Sequence, residues 1–415
     1  MRVAIHTLGT RGDVQPYIAL SLGLMARGHA VQLAAPAQFE SFVRDHGVPC
    51  VPLPGEFLAL MDTPEGKAAI AGGEGFSAGF KLLKHFRPLM GRLMDAEWAA
   101  VEAFAPDMVV HHPKSLAAPP MAERLRCPAV LASPLPGFTP TSAFPSPMLP
   151  FASLGPLNRA SHSLAIRGAE MLFGKDIRAW RRDRLGLPER RVSGGGLPPT
   201  LYAYSSHVVP VPPDWGPEVG VTGYWFLDDS AWQPPPDLAA FLAAGEPPVY
   251  VGFGSMPGLD PQGFARIVVE ALAMTGKRGL LATGGGVLGT GVDAPHVHFL
   301  ASAPHDRLLP LTRASVHHGG AGTTGAALRA GKPTAICPFF GDQPFWARRV
   351  EALGVGPRAL DRKTLSAASL AEALVAMDDL AMRDRAARLG ALIGQEAGVA
   401  AAVSFLEARD PRAGA

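Results

Sequence analysis

Apolar residues in this chain come in short runs that end on glycine-rich or polar turns, and each run is followed by a longer stretch with helical spacing. RVAIHTL reads as a buried strand, GTRGDVQ as a loop, PYIALSLGLMARG as a helix closed by Gly28, and HAVQLAAP as the next strand. Pro16 suits the first helical turn and Arg27 the last. The chain therefore opens on a βαβ unit, and its first loop lies at the carboxyl end of a strand, the edge where doubly wound sheets bind ligands. Residues 38–46 continue as a helix and 48–53 as a short strand. DMVVHHP and PAVLASPLPG are further strands, and the stiff, Pro-rich loop GFTPTSAFPSPMLP leaves the second of them. Residues 176–191, with six arginines, read as a helix with a solvated face, and TLYAYS and GVTGYWFL complete a first domain.

Residues 57–105 are largely helical and rich in Phe and Met. Phe80, Leu83, Phe86, Met90, Met94 and Trp98 fall near helical spacing, interrupted by Pro88. Two readings stand side by side: a kinked core helix, and a soft apolar wall for a hydrophobic acceptor that includes Met90. Phe138, Thr139 and Phe144, in the Pro-rich loop leaving the same sheet edge, are further acceptor contacts on this view. Lys81, Lys84, Arg87 and Arg92 flank the apolar positions, a pattern open to contact with anionic lipid as well as to a solvated basic face.

DDSAWQPPPDLAAFLAAGEPP, with clustered prolines, is the clearest linker. Beyond it VYVGFGS, PQGFARIVVEALAM and GLLATGGG repeat the order strand, glycine loop, helix, strand, so a second Rossmann-like half is implied. Ser255 ends a strand there, where its hydroxyl can meet a phosphate. The most informative stretch runs from Val316 to Gln343, VHHGGAGTTGAALRAGKPTAICPFFGDQ. A strand runs into a glycine turn and a helix opening at Thr323, and free N–H groups with the positive end of the helix dipole suit a diphosphate. His318 stands where an imidazole shares that charge. After the next strand, Asp342 and Gln343 combine an acceptor-only group with a mixed amide, a pair suited to sugar hydroxyls. GGGVLG at Gly284 to Gly289 fits a dinucleotide fingerprint in letters only, because TGVDAP rather than a helix follows it.

Composition narrows the function without naming it. The 415 residues carry 38 basic and 36 acidic side chains, a net charge of +2 that gives no bulk field for nucleic acid, and 47% hydrophobic content supports large cores. Cys50, Cys127 and Cys337 are odd in number and lack CxxC spacing, which argues against disulfides or a zinc site. A strand begins at once and no 18-residue apolar run occurs, so a soluble, cytoplasmic protein is expected, with contact at a membrane surface left open.

The stretch from Val316 to Gln343 resembles the nucleotide-sugar signature of the inverting glycosyltransferases with the two-domain GT-B architecture, most closely the sterol 3-beta-glucosyltransferase branch. GTRGDVQPYIAL, VTGYWFLDD and SAPHDRLLP fit the same branch. The resemblance implies an α/β fold of two Rossmann-like domains facing each other across a cleft. An acceptor domain spans 1–228, a linker 229–247, a nucleotide-sugar domain 248–395, and a terminal helix over 396–415 returns to the first domain. It further implies Asp13 as general base, Thr10 and Arg11 approaching the donor from the first domain, and Ser255, His318, Ala321, Gly322 and Thr323 holding the diphosphate. Asp342 and Gln343 would read the sugar. Asp13 also has a structural reading, as a helix cap near Pro16.

Two positions depart from the plant natural-product branch. Ser302 stands where that branch has a base-stacking tryptophan, and Ala326 where it has a ribose-binding glutamate. No D-x-D occurs in a suitable loop and no two glutamates lie eight apart, so a metal-free, inverting reaction with UDP-glucose as co-substrate and no cofactor is expected. The acceptor is expected to be a hydrophobic, hydroxylated small molecule: a sterol, or alternatively a macrolide or polyketide receiving a UDP- or TDP-sugar. An epimerase on the same frame would not use the Phe and Met rich region, and an inert sugar-nucleotide binder would not keep Asp13 with the Asp342–Gln343 pair.

Overall fold

Two parallel sheets organise the molecule, seen in a computed structural model that describes residues 1–56, 75–189, 198–229, 231–254, 260–284, 288–289, 292 and 294–412. Of residues 75–87, 169 and 170 it describes the backbone alone. Among the described residues the first sheet has seven strands, β1 (Arg2–His6), β2 (Ala30–Pro36), β3 (Cys50–Leu53), β4 (Met108–His111), β5 (Ala129–Ser133), β6 (Thr200–Tyr202) and β7 (Val219–Val221), in the order β3-β2-β1-β4-β5-β6-β7. Register fixes what can meet at its edge. His6 pairs with Ala34 on one side and with His111 on the other, so the loops leaving β1 and β4 start side by side.

The first domain's helices are α1 (Arg11–Ala26), α2 (Glu40–Asp45), α3 (Gly75–Phe104), α4 (Ala118–Leu125) and α5 (Asn158–Leu185). Here α1 starts five residues earlier than Pro16 suggests, because Thr10 caps it and Asp13 turns back onto the Thr10 N–H. Pro16 is therefore carried inside the helix, where it forgoes one backbone hydrogen bond. Ile18, Leu20 and Leu24 of α1 are fully buried against Val3, Ile5 and Leu33, at about 1.5–3 kcal/mol per buried side chain. The opposite face of the sheet is covered by α3, α4 and α5, whose Met90, Met94, Trp98, Met121 and Trp180 share one buried cluster with Ala4 and Val109. The helix from residue 158 begins well before the arginine-rich stretch. Arg181 in it is buried and holds Glu123 in a bidentate pair at 2.9 and 3.0 Å, so that arginine is not on a solvated face.

The second sheet comprises β8 (Val249–Gly252), β9 (Gly279–Ala282), β10 (Val297–Leu300), β11 (Ala314–His317) and β12 (Thr334–Ile336), ordered β10-β9-β8-β11-β12. Its helices are α6 (Pro236–Ala243), α7 (Pro261–Met274), α8 (His305–Leu308), α9 (Ala321–Arg329), α10 (Gln343–Ala352), α11 (Ala367–Ala376), α12 (Leu380–Gly394) and α13 (Gly398–Glu407). The expected linker thus contains α6. Pro261 sits at the first position of α7 and Asp260 accepts the Gln262 N–H, so this helix begins on local chemistry. Residues 380–407 are apolar enough in composition to pass for a membrane span. They break instead into α12 and α13, and Ala402, Val403 and Leu406 of α13 join the core of the first sheet.

Several contacts tie the two domains together. The Ser205 hydroxyl donates to Glu396 at 2.7 Å, Arg349 donates to the Val208 carbonyl, and Arg329 holds Asp228 through both nitrogens at 2.5 and 2.8 Å. The carboxyl edges of the two sheets face one cleft.

Candidate active site

On the first-domain side the site is built around one carboxylate. Asp13 is the third residue of α1, and its Oδ2 accepts the Thr10 N–H at 2.8 Å and the Thr10 hydroxyl at 3.3 Å. This is the acidic half of a capping box, so the structural reading of Asp13 is realised in the geometry. The same carboxylate nevertheless reaches out of the helix. Oδ1 lies 3.2 Å from His112 Nε2 and Oδ2 lies 3.0 Å from Lys114 Nζ. One fifth of its side chain stays open to the cleft. Gly9 has φ +135°, a region that disfavours side chains, and a Cβ there would lie 2.0 Å from Asp13 Oδ2 and 2.7 Å from Lys114 Nζ. The bare backbone of Gly9 seats the pair.

His112 follows β4 and is buried, its ring edge-on to Tyr17 at 6.0 Å. Its Nδ1 accepts the Lys114 N–H at 3.1 Å, which leaves the proton on Nε2, facing Asp13. Burial lowers the His112 pKa, and Asp13 opposes that shift. Burial alone would raise the Asp13 carboxyl. The Lys114 charge, with the His112 and Lys114 hydrogen bonds, outweighs that penalty and holds Asp13 well below the usual carboxylate range. Behind this cluster His6 is buried, with Nδ1 3.1 Å from Glu97 of α3, and the Ser115 hydroxyl donates to the same Glu97 oxygen. Neither His112 nor Lys114 is singled out by sequence reasoning. The signal available was HHPK at the end of the strand that neighbours β1.

On the second-domain side β11 ends in His317, which is fully buried and accepts the Gly319 N–H on Nδ1 at 3.0 Å. His318 lies between the turn after β8 and the start of α9. A Cβ on Gly320 would sit 2.6 Å from its Nε2, so the Nε2 edge of the ring is turned toward bare backbone. Nδ1 of His318 is buried with no hydrogen-bond partner among the described residues. Burial, with the neighbouring His305, pushes the His318 pKa down to about 4, so the ring is neutral at pH 7. Helix α9 begins at Ala321, two residues before Thr323, and no side chain caps it. Its first intrahelical bond is from Thr324 N–H, which leaves the N–H groups of Ala321, Gly322 and Thr323 pointing beyond the helix end.

The remaining expected donor residues spread around this turn. Arg11 opens α1 with its guanidinium 4.4 Å from the centroid of the Phe42 ring. Its charge also contributes to lowering His305, whose Nε2 lies 3.1 Å from the Tyr250 hydroxyl. Ser302 is exposed just past β10, and Ser255 lies outside the described residues. Asp342 is half-buried and Trp346 Nε1 donates to it at 2.8 Å. Burial raises its pKa, and the charge of Asp13 across the cleft adds to the shift. Gln343 is buried, and its Oε1 accepts the N–H groups of Phe339 and Phe340 at 2.7 and 3.3 Å. Its amide therefore also shapes the loop that carries it.

The acceptor expectations fare differently. Met90 belongs to the core between α3 and the first sheet, which places it with the core reading of that helix and not on a cleft wall. Thr139 is buried and its hydroxyl accepts from Tyr202 at 2.9 Å, so it fastens the Pro-rich loop rather than offering a polar group to a substrate. Phe138 and Phe144 pack against the cluster joining the domains, Phe144 lying 5.7 Å from Phe345 of α10. Phe80, Leu83 and Phe86, like Lys81, Lys84 and Arg87, have side chains outside the description.

Comparison with known proteins agrees with this geometry. Residues 3–145 match the glycosyltransferase family 28 N-terminal domain, and residues 291–397 match the erythromycin biosynthesis protein CIII-like C-terminal domain. Two sterol 3-beta-glucosyltransferases of Arabidopsis thaliana, UGT80A2 and UGT80B1, are each 36% identical over 97% of this chain, which covers 64% and 67% of their lengths. The sterol 3-beta-glucosyltransferase of Emericella nidulans is 37% identical over 98% of the chain, which covers 30% of it. The chain thus spans about two thirds of the plant relatives and under a third of the fungal one. Among solved structures, the glycotransferase of kitacinnamycin superposes with a TM-score of 0.73 at 20% identity, covering 99% of both chains. SnogD from Streptomyces nogalater superposes with a TM-score of 0.67 at 26% identity, covering 98% of this chain and 99% of that one. With two parallel-sheet domains meeting at their carboxyl edges and relatives of this identity along nearly its whole length, the chain belongs to the sterol 3-beta-glucosyltransferase branch of the GT-B glycosyltransferases.

Proposed function

We infer that the protein transfers glucose from UDP-glucose to the 3β-hydroxyl of a sterol or sterol-like lipid, with inversion at the anomeric carbon. Asp13 takes the proton of the acceptor hydroxyl as its oxygen bonds to C1. The bond from C1 to the diphosphate oxygen breaks, and its electron pair leaves on UDP. That developing charge is met by the N–H groups of Ala321, Gly322 and Thr323 and by the His318 imidazole, whose Nε2 faces the Gly320 backbone at the start of α9. No cation is assigned to the step. Arg11 and Thr10 close on the donor from the first domain, Ser302 flanks the nucleotide, and Asp342 with Gln343 addresses the sugar. Phe138 and Phe144 border the acceptor side, and an acceptor of this kind brings the protein to a lipid surface.

The observation that carries the reading is that α1, which holds Asp13, packs against α9 across the two domains, with Asp13 and Asp342 near enough to interact through their charges. A sugar between them would meet a base on one face and a hydroxyl acceptor on the other. The names of the plant and fungal relatives supply the sterol. The test is product formation from UDP-glucose and cholesterol in excess EDTA. A β-glucoside at the 3-hydroxyl supports the reading, and a chelator-dead enzyme restored by magnesium removes its metal-free part.

A second reading, transfer of a UDP- or TDP-sugar to a macrolide or polyketide, draws on the match of residues 291–397 to the erythromycin CIII-like domain. It shares the base and the diphosphate site and differs in the acceptor.

A further inference from the structure

We propose that Lys114 guards the base: its ammonium occupies the Asp13 oxygen that an incoming hydroxyl requires, and so keeps bound water from being activated until an acceptor displaces it. The inference rests on the reading of Asp13 as general base.

The donors around the carboxylate carry the argument. Oδ1 faces His112 Nε2 at 3.2 Å, and Oδ2 accepts Thr10 N at 2.8 Å, Thr10 Oγ1 at 3.3 Å and Lys114 Nζ at 3.0 Å. Oδ2 thus carries three donors, while Oδ1 carries one and is turned toward the buried His112. Three of the four donors are fixed. The Thr10 groups belong to the helix cap, and His112 is buried and pinned on its other nitrogen. Lys114 lies in the loop between β4 and α4 with about half its side chain exposed, and among the described residues Asp13 is its only ion-pair partner. It is the one donor that can leave. The charged and titratable groups facing Asp13 are Lys114 and His112 from the β4 loop, Tyr17 from its own helix and Asp342 from across the cleft.

Two effects follow while Lys114 stays in place. The ammonium is the third donor crowded onto Oδ2 and hinders the approach of a water there, and its charge makes the carboxylate a weaker base. An apolar acceptor that fills the cleft expels water and presents one hydroxyl, which exchanges with the ammonium. The reaction held back is donor hydrolysis. In it a water oxygen bonds to C1 of the sugar and the C1–O bond to the diphosphate breaks with its electron pair going to UDP. The water proton passes to Asp13 Oδ2, and the products are glucose and UDP.

The experiment measures UDP release from UDP-glucose, and TDP release from TDP-glucose in parallel, with no acceptor present. Wild type is compared with Lys114→Met, Lys114→Gln, Lys114→Arg, Asp13→Asn and the Asp13→Asn/Lys114→Met double variant. Calorimetric UDP titration and a melting curve check binding and fold. Lys114→Met and Lys114→Gln are expected to release nucleotide roughly tenfold faster than wild type. Lys114→Arg should not, and the double variant should return to the wild-type rate or below. Nucleotide release by Lys114→Met at or under the wild-type rate, in protein that binds UDP normally, overturns the guard. So does a raised rate that survives Asp13→Asn, since the water would then be activated elsewhere. Failure of the base reading appears separately, as Asp13→Asn enzyme that glucosylates cholesterol at the wild-type rate.

Discussion

The His112 imidazole donates from Nε2 to Oδ1 of Asp13 at 3.2 Å while its Nδ1 accepts a backbone N–H from Lys114. With both nitrogens engaged, His112 fixes the carboxylate and does not itself take a proton from a substrate.

Asp13→Asn is expected to keep the fold and the affinity for UDP but to lower turnover by roughly 10²–10⁴, because shape is preserved and the positioned base is lost. Steady-state kinetics with UDP-glucose and cholesterol checks it. Turnover near wild type would remove Asp13 from the mechanism.

His112→Gln tests positioning. The His112 hydrogen bond lowers the Asp13 pKa, so its loss should move the acid limb of kcat/KM to higher pH while the KM for UDP-glucose stays unchanged. A pH profile from 4 to 8 provides the comparison, and an unmoved limb would reduce His112 to packing against Tyr17.

His318→Ala should weaken UDP binding about tenfold or more and leave the melting temperature within a few degrees, since the Nε2 edge of the ring faces bare glycine backbone at the start of α9. Calorimetry and thermal melts separate the two effects. Normal UDP affinity with a much lower melting temperature would mark His318 as structural.

Acid stability follows from the histidines. His111, His305 and His318 are held at about 4 by burial, below the ordinary 6.5. Below pH 6.5 the unfolded chain binds protons that the folded protein does not, so stability should fall from about pH 6.5 down to about pH 4. Asp13 acts with the same sign in a lower pH window. Its depressed pKa adds stability above the ordinary carboxylate value of 3.8, lost only at still lower pH. Denaturant unfolding at pH 7, 6 and 5 should therefore show a steady decline, steeper than in His318→Ala.

Much of the scaffold could be read from the chain because its signals are local. β1, β8, β11 and α7 lie where apolar runs, Gly turns and the Asp260–Pro261 start place them. What was not legible depends on distant partners. Lys114 meets Asp13 across 101 residues of sequence, and only the β1–β4 adjacency brings them together. The Thr139 hydroxyl goes to Tyr202, 63 residues on, so a residue that looked available to an acceptor is spent. The early half of α5 escaped notice because Leu164 and Met171 point to solvent, leaving no inward stripe to read. The start of α1 was misplaced for a local reason, since Thr10 and Asp13 as a cap outweigh the preference of Pro16 for a first turn.

The most direct test of the central claim is a product screen with UDP-glucose against a 3β-hydroxysteroid such as cholesterol, its 3α epimer and a set of macrolides. A rigid, mostly apolar acceptor gains about 25 cal/mol per Å² of buried surface. A polyhydroxylated one loses roughly 1–3 kcal/mol for each polar group left unpaired. The account predicts a β-glucoside of the 3β-hydroxysteroid, with the 3α epimer used poorly because its oxygen points away from Asp13. Glycosylated macrolides with no 3β-hydroxysteroid product would contradict it.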